Sequence, residues 1–269
     1  MSAVKARAYA KINLFLRVLN AENGYHTIES LQQSVDLFDE IVLSSRADDM
    51  IVSDFPEDNS LTVLRHIQKE YSLGGMSLTV KKNIPIGGGL GGSSADAAAA
   101  ALACAKLWGL DEKEVKDLVA PLFGDLAFQM TGGTAVARGI GDKIEPLPAL
   151  PEYFVLLAFP KTGVSTKEAY ALSDRTERGD GNLAALYASL RKGVNAQNYY
   201  LNDLLPAAEA LNAEISPLLA ALYDEKALLT GLSGSGSTLF SLYKNHADAE
   251  KKLANLPCRA LITRTTDPF

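Results

Sequence analysis

Eleven residues, Pro85-Ile86-Gly87-Gly88-Gly89-Leu90-Gly91-Gly92-Ser93-Ser94-Ala95, constrain this chain more than any other stretch. Five of the eleven are glycine, and the run lies between two segments of opposite character. Before it, Met76, Leu78 and Val80 alternate with Ser77, Thr79 and Lys81 up to Asn83, which predicts a half-buried strand. After it, alanines at 95, 97 to 101, 103 and 105 predict a helix from Ser93 to Trp108 whose small-residue face lets another backbone pack close. Ser93 as N-cap with Asp96 three residues on predicts a capping box. Glycines let backbone N–H groups converge without Cβ interference, and a helix start adds orphan donors and a positive dipole end. The run therefore reads as an anion cradle suited to phosphates.

Other glycine motifs fit less well. Gly87, Gly89 and Gly92 satisfy G-x-G-x-x-G, but nearly ninety residues precede them and Pro85 interrupts the approach from the strand, so a dinucleotide fold is a poor match. The chain contains no Gly-Lys dipeptide, which excludes a Walker A loop, and the protein-kinase H-R-D and D-F-G signatures are absent. His26, His66 and His246 share no metal-ligand spacing.

Two further segments pair polar side chains with the same kind of setting. In Ala10-Lys11-Ile12-Asn13-Leu14, Lys11 and Asn13 alternate with apolar neighbours and point to one face of a strand. Gly231-Leu232-Ser233-Gly234-Ser235-Gly236-Ser237-Thr238 is a second anion-friendly loop, readable also as a hairpin turn. Asp125, between Gly124 and the apolar Leu126-Ala127-Phe128, is a carboxylate held where partial burial suits proton transfer; read alone it is equally a helix N-cap.

Composition bounds the setting of these motifs. With 26 Lys+Arg against 32 Asp+Glu the net charge is −6, and no basic block supplies the footprint that a nucleic-acid polymer needs. Cys104 and Cys258 form no C-x-x-C pair, so neither a disulfide scaffold nor a cysteine-rich zinc site is expected. Charges at Lys5, Arg7, Lys11 and Arg17 break the first apolar run, against a signal peptide, and no stretch approaches about 20 uncharged apolar residues. A cytoplasmic location without a membrane partner is the expectation.

Along the chain, Val4 to Leu19 reads as one or two strands ending in a turn at Asn20 to Gly24, and Ile41 to Leu43 as another strand. Helices are expected at Asn59 to Tyr71 and Asp111 to about Leu122, and a strand within Gly132 to Gly141. Pro146, Pro148 and Pro151 mark a boundary that splits the chain into residues 1–150 and 151–269. The second part predicts strands at Tyr153 to Phe159, Leu228 to Leu229, Thr238 to Tyr243 and Arg259 to Arg264. Helices are predicted at Thr166 to Ser173, Asn182 to Leu190, Asp203 to Leu211, Ile215 to Tyr223 and Ala247 to Leu253. That order describes an α+β arrangement with helices on one face of an antiparallel sheet.

In their order, the lysine strand, the P-x-G-x-G-L-G-x-S-S-A type loop and the glycine/serine loop resemble the GHMP superfamily of small-molecule kinases. Ala10 to Leu16 is similar to A-K-I-N-L-x-L and Gly24-Tyr25-His26 to G-Y-H; with Asp58-Asn59, Val164 to Tyr170 and Asn202-Asp203-Leu204, they resemble the superfamily branch that acts on 4-diphosphocytidyl-2-C-methyl-D-erythritol. The resemblance implies a two-domain α+β fold, with an N-terminal domain like ribosomal protein S5 domain 2 and a ferredoxin-like C-terminal domain. It also implies phosphorylation of that substrate's 2-hydroxyl by ATP with Mg²⁺, on the non-mevalonate route to isoprenoids. Asp125 would accept the hydroxyl proton and Lys11 would stabilise charge. Pro85, Ile86, Gly87, Gly88, Gly89, Leu90, Gly91, Gly92, Ser93, Ser94 and Ala95 would hold ATP. Tyr25, His26 and Tyr170 would flank the cytosine, and Asn13 would touch the methylerythritol part.

Three departures stand out. Gly91 to Asp96 has one glycine fewer than G-L-G-G-G-S-S-D and an added alanine, Gly124 to Phe128 lacks a spacer and the proline of G-x-D-V-P-F, and Gln32 replaces an aromatic. A homoserine or mevalonate kinase of the same superfamily, or a catalytically silent nucleotide-binding homologue, stays open at this point, as does a monomeric or homodimeric state.

Overall fold

The computed structural model describes every residue except Met1, Asn23, Gly24, Pro56, Glu57, Asp58, Glu177 and Phe269, and leaves the side chains of Ala21, Glu22 and Tyr25 undescribed. Gly24, Asp58 and the Tyr25 side chain of the G-Y-H and D-N motifs thus lie outside the described residues. Contacts divide the chain into two compact units: residues 1–10, 37–86 and 91–131 form unit 1, and residues 11–36, 87–90 and 132–269 form unit 2. This division follows packing and differs from a single cut at residue 150. Two long strands explain it: β1 (Ala3–Glu22) and β2 (Tyr25–Ser45) each give one stretch to each unit. What reads as two or three short strands is one 20-residue strand followed by one of 21.

In unit 1, β3 (Ile51–Ser53) runs parallel to β4 (Met76–Lys81), and β4 pairs antiparallel with β2 from Glu40↔Lys81 to Ser45↔Met76. The alternation of Met76, Leu78 and Val80 puts all three inside. α1 (Asn59–Tyr71) coincides with its predicted span and packs against α2 (Gly92–Trp108). The alanines of α2 are buried almost all round, and Gly109 ends it in the left-handed conformation with its N–H on Ala105 O. α3 (Glu112–Val119) is capped by the Asp111 carboxylate on Glu114 N, a 3₁₀ turn covers Ala120–Leu122, and the single helical turn α4 (Leu126–Gln129) follows.

In unit 2, the first half of β2 pairs antiparallel with β5 (Thr134–Gly139), which pairs with β6 (Lys143–Pro146). A second, antiparallel sheet has the order β10-β7-β9-β8, made of β7 (Phe154–Phe159), β8 (Leu229–Leu232), β9 (Leu239–Tyr243) and β10 (Arg259–Arg264). On one face Leu156, Ala158, Leu232 and Tyr243 pack under α5 (Thr166–Ser173), α7 (Leu205–Leu211), α8 (Ile215–Leu222) and α9 (His246–Leu253). α6 (Leu183–Arg191) is capped by the Asn182 side chain on Ala185 N. Val155 and Leu157 alternate with the residues that face the helices and are equally buried, so the second face of β7 is covered too.

Candidate active site

Within unit 2 three segments far apart in sequence are knotted together. Lys11 and Asn13 share a face of β1, as their alternation requires, and Lys11 Nζ donates to Asn13 Oδ1 at 2.7 Å. Both are inside, at 4% and 3% exposure, so Lys11 is not a solvated surface lysine. A buried ammonium needs acceptors, and Asn13 is held to act as one: its Nδ2 donates to Ser30 Oγ at 2.8 Å, and Ser30 Oγ donates in turn to Phe15 O at 2.7 Å. Ser30 carries no motif of its own; only its alternation along β2 marks it.

The glycine loop reaches this strand through Lys11 N–H, which donates to Leu90 O at 3.0 Å. Gly87 and Gly89 have φ of 68° and 75°, backbone that L side chains rarely adopt. At Gly89 there is a second reason for glycine: a Cβ would stand 2.2 Å from Ser233 O and 2.8 Å from Gly236 O. The loop is pressed against the glycine/serine loop after β8, and Ser233 Oγ donates to Gly89 O at 2.8 Å while accepting from Asn13 N at 3.3 Å. Thr238 N donates to Gly88 O at 3.1 Å. The second loop therefore braces the first, which a hairpin-turn reading misses.

Residues Asn202 and Asp203 hold this brace in turn. Asn202 Nδ2 donates to both Leu232 O and Gly234 O at 2.9 Å, and Asp203 Oδ2 accepts from Val18 N at 2.8 Å on β1. Tyr200, half-buried, accepts from Leu232 N at 2.8 Å; desolvation pushes its hydroxyl well above the ordinary tyrosine range, so it stays protonated. These supports are 190 or so positions from Lys11, which is why local spacing cannot reveal them.

Away from the loops but still in unit 2, His26 and Tyr170 stack with centroids 5.1 Å apart and planes 26° apart. His26 Nε2 lies 2.7 Å from Asp174 Oδ1, which fixes the ring against α5. Gln32 is 1% exposed within the β2–β5 pairing, so it offers no face to a base where the resemblance expects an aromatic.

Unit 1 carries the rest of the predicted residues. Pro85 and Ile86 lead into the loop, with Ile86 76% exposed. The capping box is not formed. Gly91, at φ 70° and ψ 22°, takes the N-cap position, α2 begins at Gly92, and no side chain caps it. Ser93 lies one residue inside and accepts from Asn59 N at 3.3 Å, and Asp96 is buried against Lys82. With glycine at the cap position no cap side chain bonds the first-turn amides of α2, which favours an external anion more than a serine cap does.

Asp125 precedes α4 in the αR conformation and makes no side-chain capping bond, so its carboxylate does not serve as an N-cap. Leu126 and Phe128 beside it are fully buried. Gln129 N donates to Asp125 O at 3.1 Å, an ordinary helical bond across Ala127. A proline at position 127 would fall in this first turn, where its missing N–H costs nothing, so alanine there keeps the same backbone.

The GHMP kinases N terminal domain matches residues 59–137 and the GHMP kinases C terminal domain residues 182–262. The chain belongs to the GHMP kinase family. Among curated members it is 34% identical to "4-diphosphocytidyl-2-C-methyl-D-erythritol kinase" of Thermodesulfovibrio yellowstonii over 92% of each chain. It is 35% identical to the protein of that name in Desulfitobacterium hafniense, over 92% of this chain and 90% of the other. A crystal structure titled 4-(cytidine 5'-diphospho)-2C-methyl-D-erythritol kinase superposes with a TM-score of 0.80 at 28% identity, covering 98% of this chain and all of that one. The two matched regions of the GHMP kinase pattern fall on either side of residue 150. Among the described residues no helix is long and apolar enough to cross a membrane, and no three His, Cys, Asp or Glu side chains are grouped to hold a metal ion.

Proposed function

We propose that this chain is an ATP-dependent kinase that phosphorylates the 2-hydroxyl of 4-diphosphocytidyl-2-C-methyl-D-erythritol, on the non-mevalonate route to isoprenoids. The observation that carries the reading is the match over nine-tenths of the chain to relatives of that name, joined to the retained His26–Tyr170 stack. Residues 1–150 form its ATP-binding half and residues 151–269 its substrate-side half, and the protein works in the cytoplasm on a small-molecule substrate.

Backbone N–H groups from Gly87 to Ser94 bind the ATP phosphates, with Ala95, whose N–H closes the first helical bond on Gly91 O, ending the cradle and Pro85 and Ile86 flanking the nucleotide. Mg²⁺ arrives with ATP as part of the substrate and neutralises phosphate charge. Asp125 accepts the proton of the 2-hydroxyl as its oxygen attacks the γ-phosphorus, and ADP departs with the bond to its β-phosphate oxygen broken. Lys11, oriented by Asn13, stabilises negative charge on the transferring group. Asn13 also contacts the methylerythritol portion, and Tyr25, His26 and Tyr170 flank the cytosine. Phosphoryl transfer depends on positioning and electrostatics, so a buried cation and one carboxylate suffice.

ADP release with MgATP and the cytidine substrate, set beside homoserine and mevalonate, tests the reading. Turnover confined to the cytidine substrate is expected. Turnover with homoserine or mevalonate instead, or none in folded protein, overturns it.

A further inference from the structure

The glycine loop is closed at its base, within unit 1, by three charged side chains that the proposed chemistry does not use. Asp39 on β2 is fully buried, and its Oδ1 accepts from Asn83 N at 2.5 Å and Ile84 N at 2.8 Å, the two residues that lead into Pro85. Its Oδ2 lies 2.5 Å from Lys82 Nζ. The same ammonium donates at 2.5 Å to Asp96 Oδ2, in the second turn of α2, where the chain has just left the loop. One strand, the stem before the loop and the helix after it are thus joined through a single cation. Gly92 fits beside it: a Cβ there would stand 3.1 Å from Ile84 Cγ2 and 3.6 Å from Lys82 Nζ.

Burial works against the Lys82 charge, and Asp39 and Asp96 more than offset it, raising its pKa above the ordinary lysine value. Removing the cation takes the shared countercharge from two buried carboxylates, so their repulsion works against the tie between the two stems. A cradle of backbone N–H groups acts only if its amides already point inward, because reorienting them on binding subtracts from affinity.

We propose that Asp39, Lys82 and Asp96 are positioning residues that clamp both stems of the glycine loop and so preorganise it for the ATP phosphates. This rests on the reading of that loop as the ATP site, so two kinds of measurement are required. In steady-state kinetics on the full-length protein, Lys82→Met raises KM for MgATP about tenfold while kcat stays within about threefold and KM for the cytidine substrate is unchanged. Lys82→Arg, which keeps the charge, recovers most of the loss. In nucleotide-free protein, hydrogen exchange at Ile84 and at Gly87 to Gly92 rises in Lys82→Met, whatever reaction the protein catalyses. Should that variant not fold, Asp39→Asn, nearly equal in volume, gives the same shift in exchange at Asn83 and Ile84. Wild-type exchange and wild-type KM for MgATP in a folded variant overturn the clamp. Raised exchange in a protein that never turns over supports the clamp and overturns only the reading of the activity.

Discussion

Residue by residue, the site separates groups that act from groups that leave room. In the proposed reaction Asp125 acts: its carboxylate does not cap α4, and Asp125→Asn is expected to lower kcat about a hundred- to ten-thousandfold while calorimetry still shows MgATP binding within about threefold of the parent. A variant with unchanged kcat removes Asp125 from the reaction. Gly89 leaves room. Gly89→Ala puts a methyl 2.2 Å from Ser233 O and forces alanine into φ 75°, so the two loops must separate. A loss of about 2 kcal/mol or more in urea unfolding is expected, together with weakened MgATP binding. Cys104 does neither. Burial pushes its thiol up to about 12 from 9.0, so the folded state keeps a proton that the unfolded chain gives up above pH 9. The unfolded state then binds fewer protons, and stability falls as pH rises from about 9 toward 12. Urea midpoints measured between pH 8 and 10.5 should drop less in Cys104→Ala than in the parent, and native Cys104 should resist thiol reagents.

Elements were legible where one local cause decides them. α1, α5 and β10 fall on their predicted residues because helical or alternating spacing and a clear start settle each within its own length. The start of α2 was misread: Ser93 and Asp96 have the chemistry of a cap, but Gly91 takes the cap position and Asp96 is drawn inward by Lys82, a partner on the far side of the loop. β1 and β2 read as pieces because each serves two units with different neighbours, and no local period reports such a change. For the site, Lys11, Asn13 and the glycine loop stood out by composition, whereas Ser30, Tyr200 and the acceptor role of Leu90 exist only through distant pairing. The alanines of α2 give a test at this scale. Ala100, fully buried in the helix that packs on α1, has no space for added methylenes, so Ala100→Leu is expected to cost about 1 to 3 kcal/mol in urea unfolding. A neutral result would show a looser core than the burial implies.

For the molecule as a whole, a net charge of −6 is compatible with the two anionic substrates proposed, because unit 2 by itself places glycine-loop backbone and one buried lysine together. In the proposed reaction Mg²⁺ arrives with ATP, so EDTA in excess is expected to abolish ADP release and added Mg²⁺ to restore it. The lock between Gly89 and Ser233 also sets a timetable. Its two halves are made 144 residues apart during synthesis, and the brace from Thr238 to Gly88 comes later still. A nascent chain that already contains the whole phosphate loop has the Asp39–Lys82–Asp96 clamp at its stems but lacks the partner that holds Gly89 until β8 and the turn behind it leave the ribosome. The tip of the loop thus takes its final shape only once Thr238 has been made, long after its own glycines.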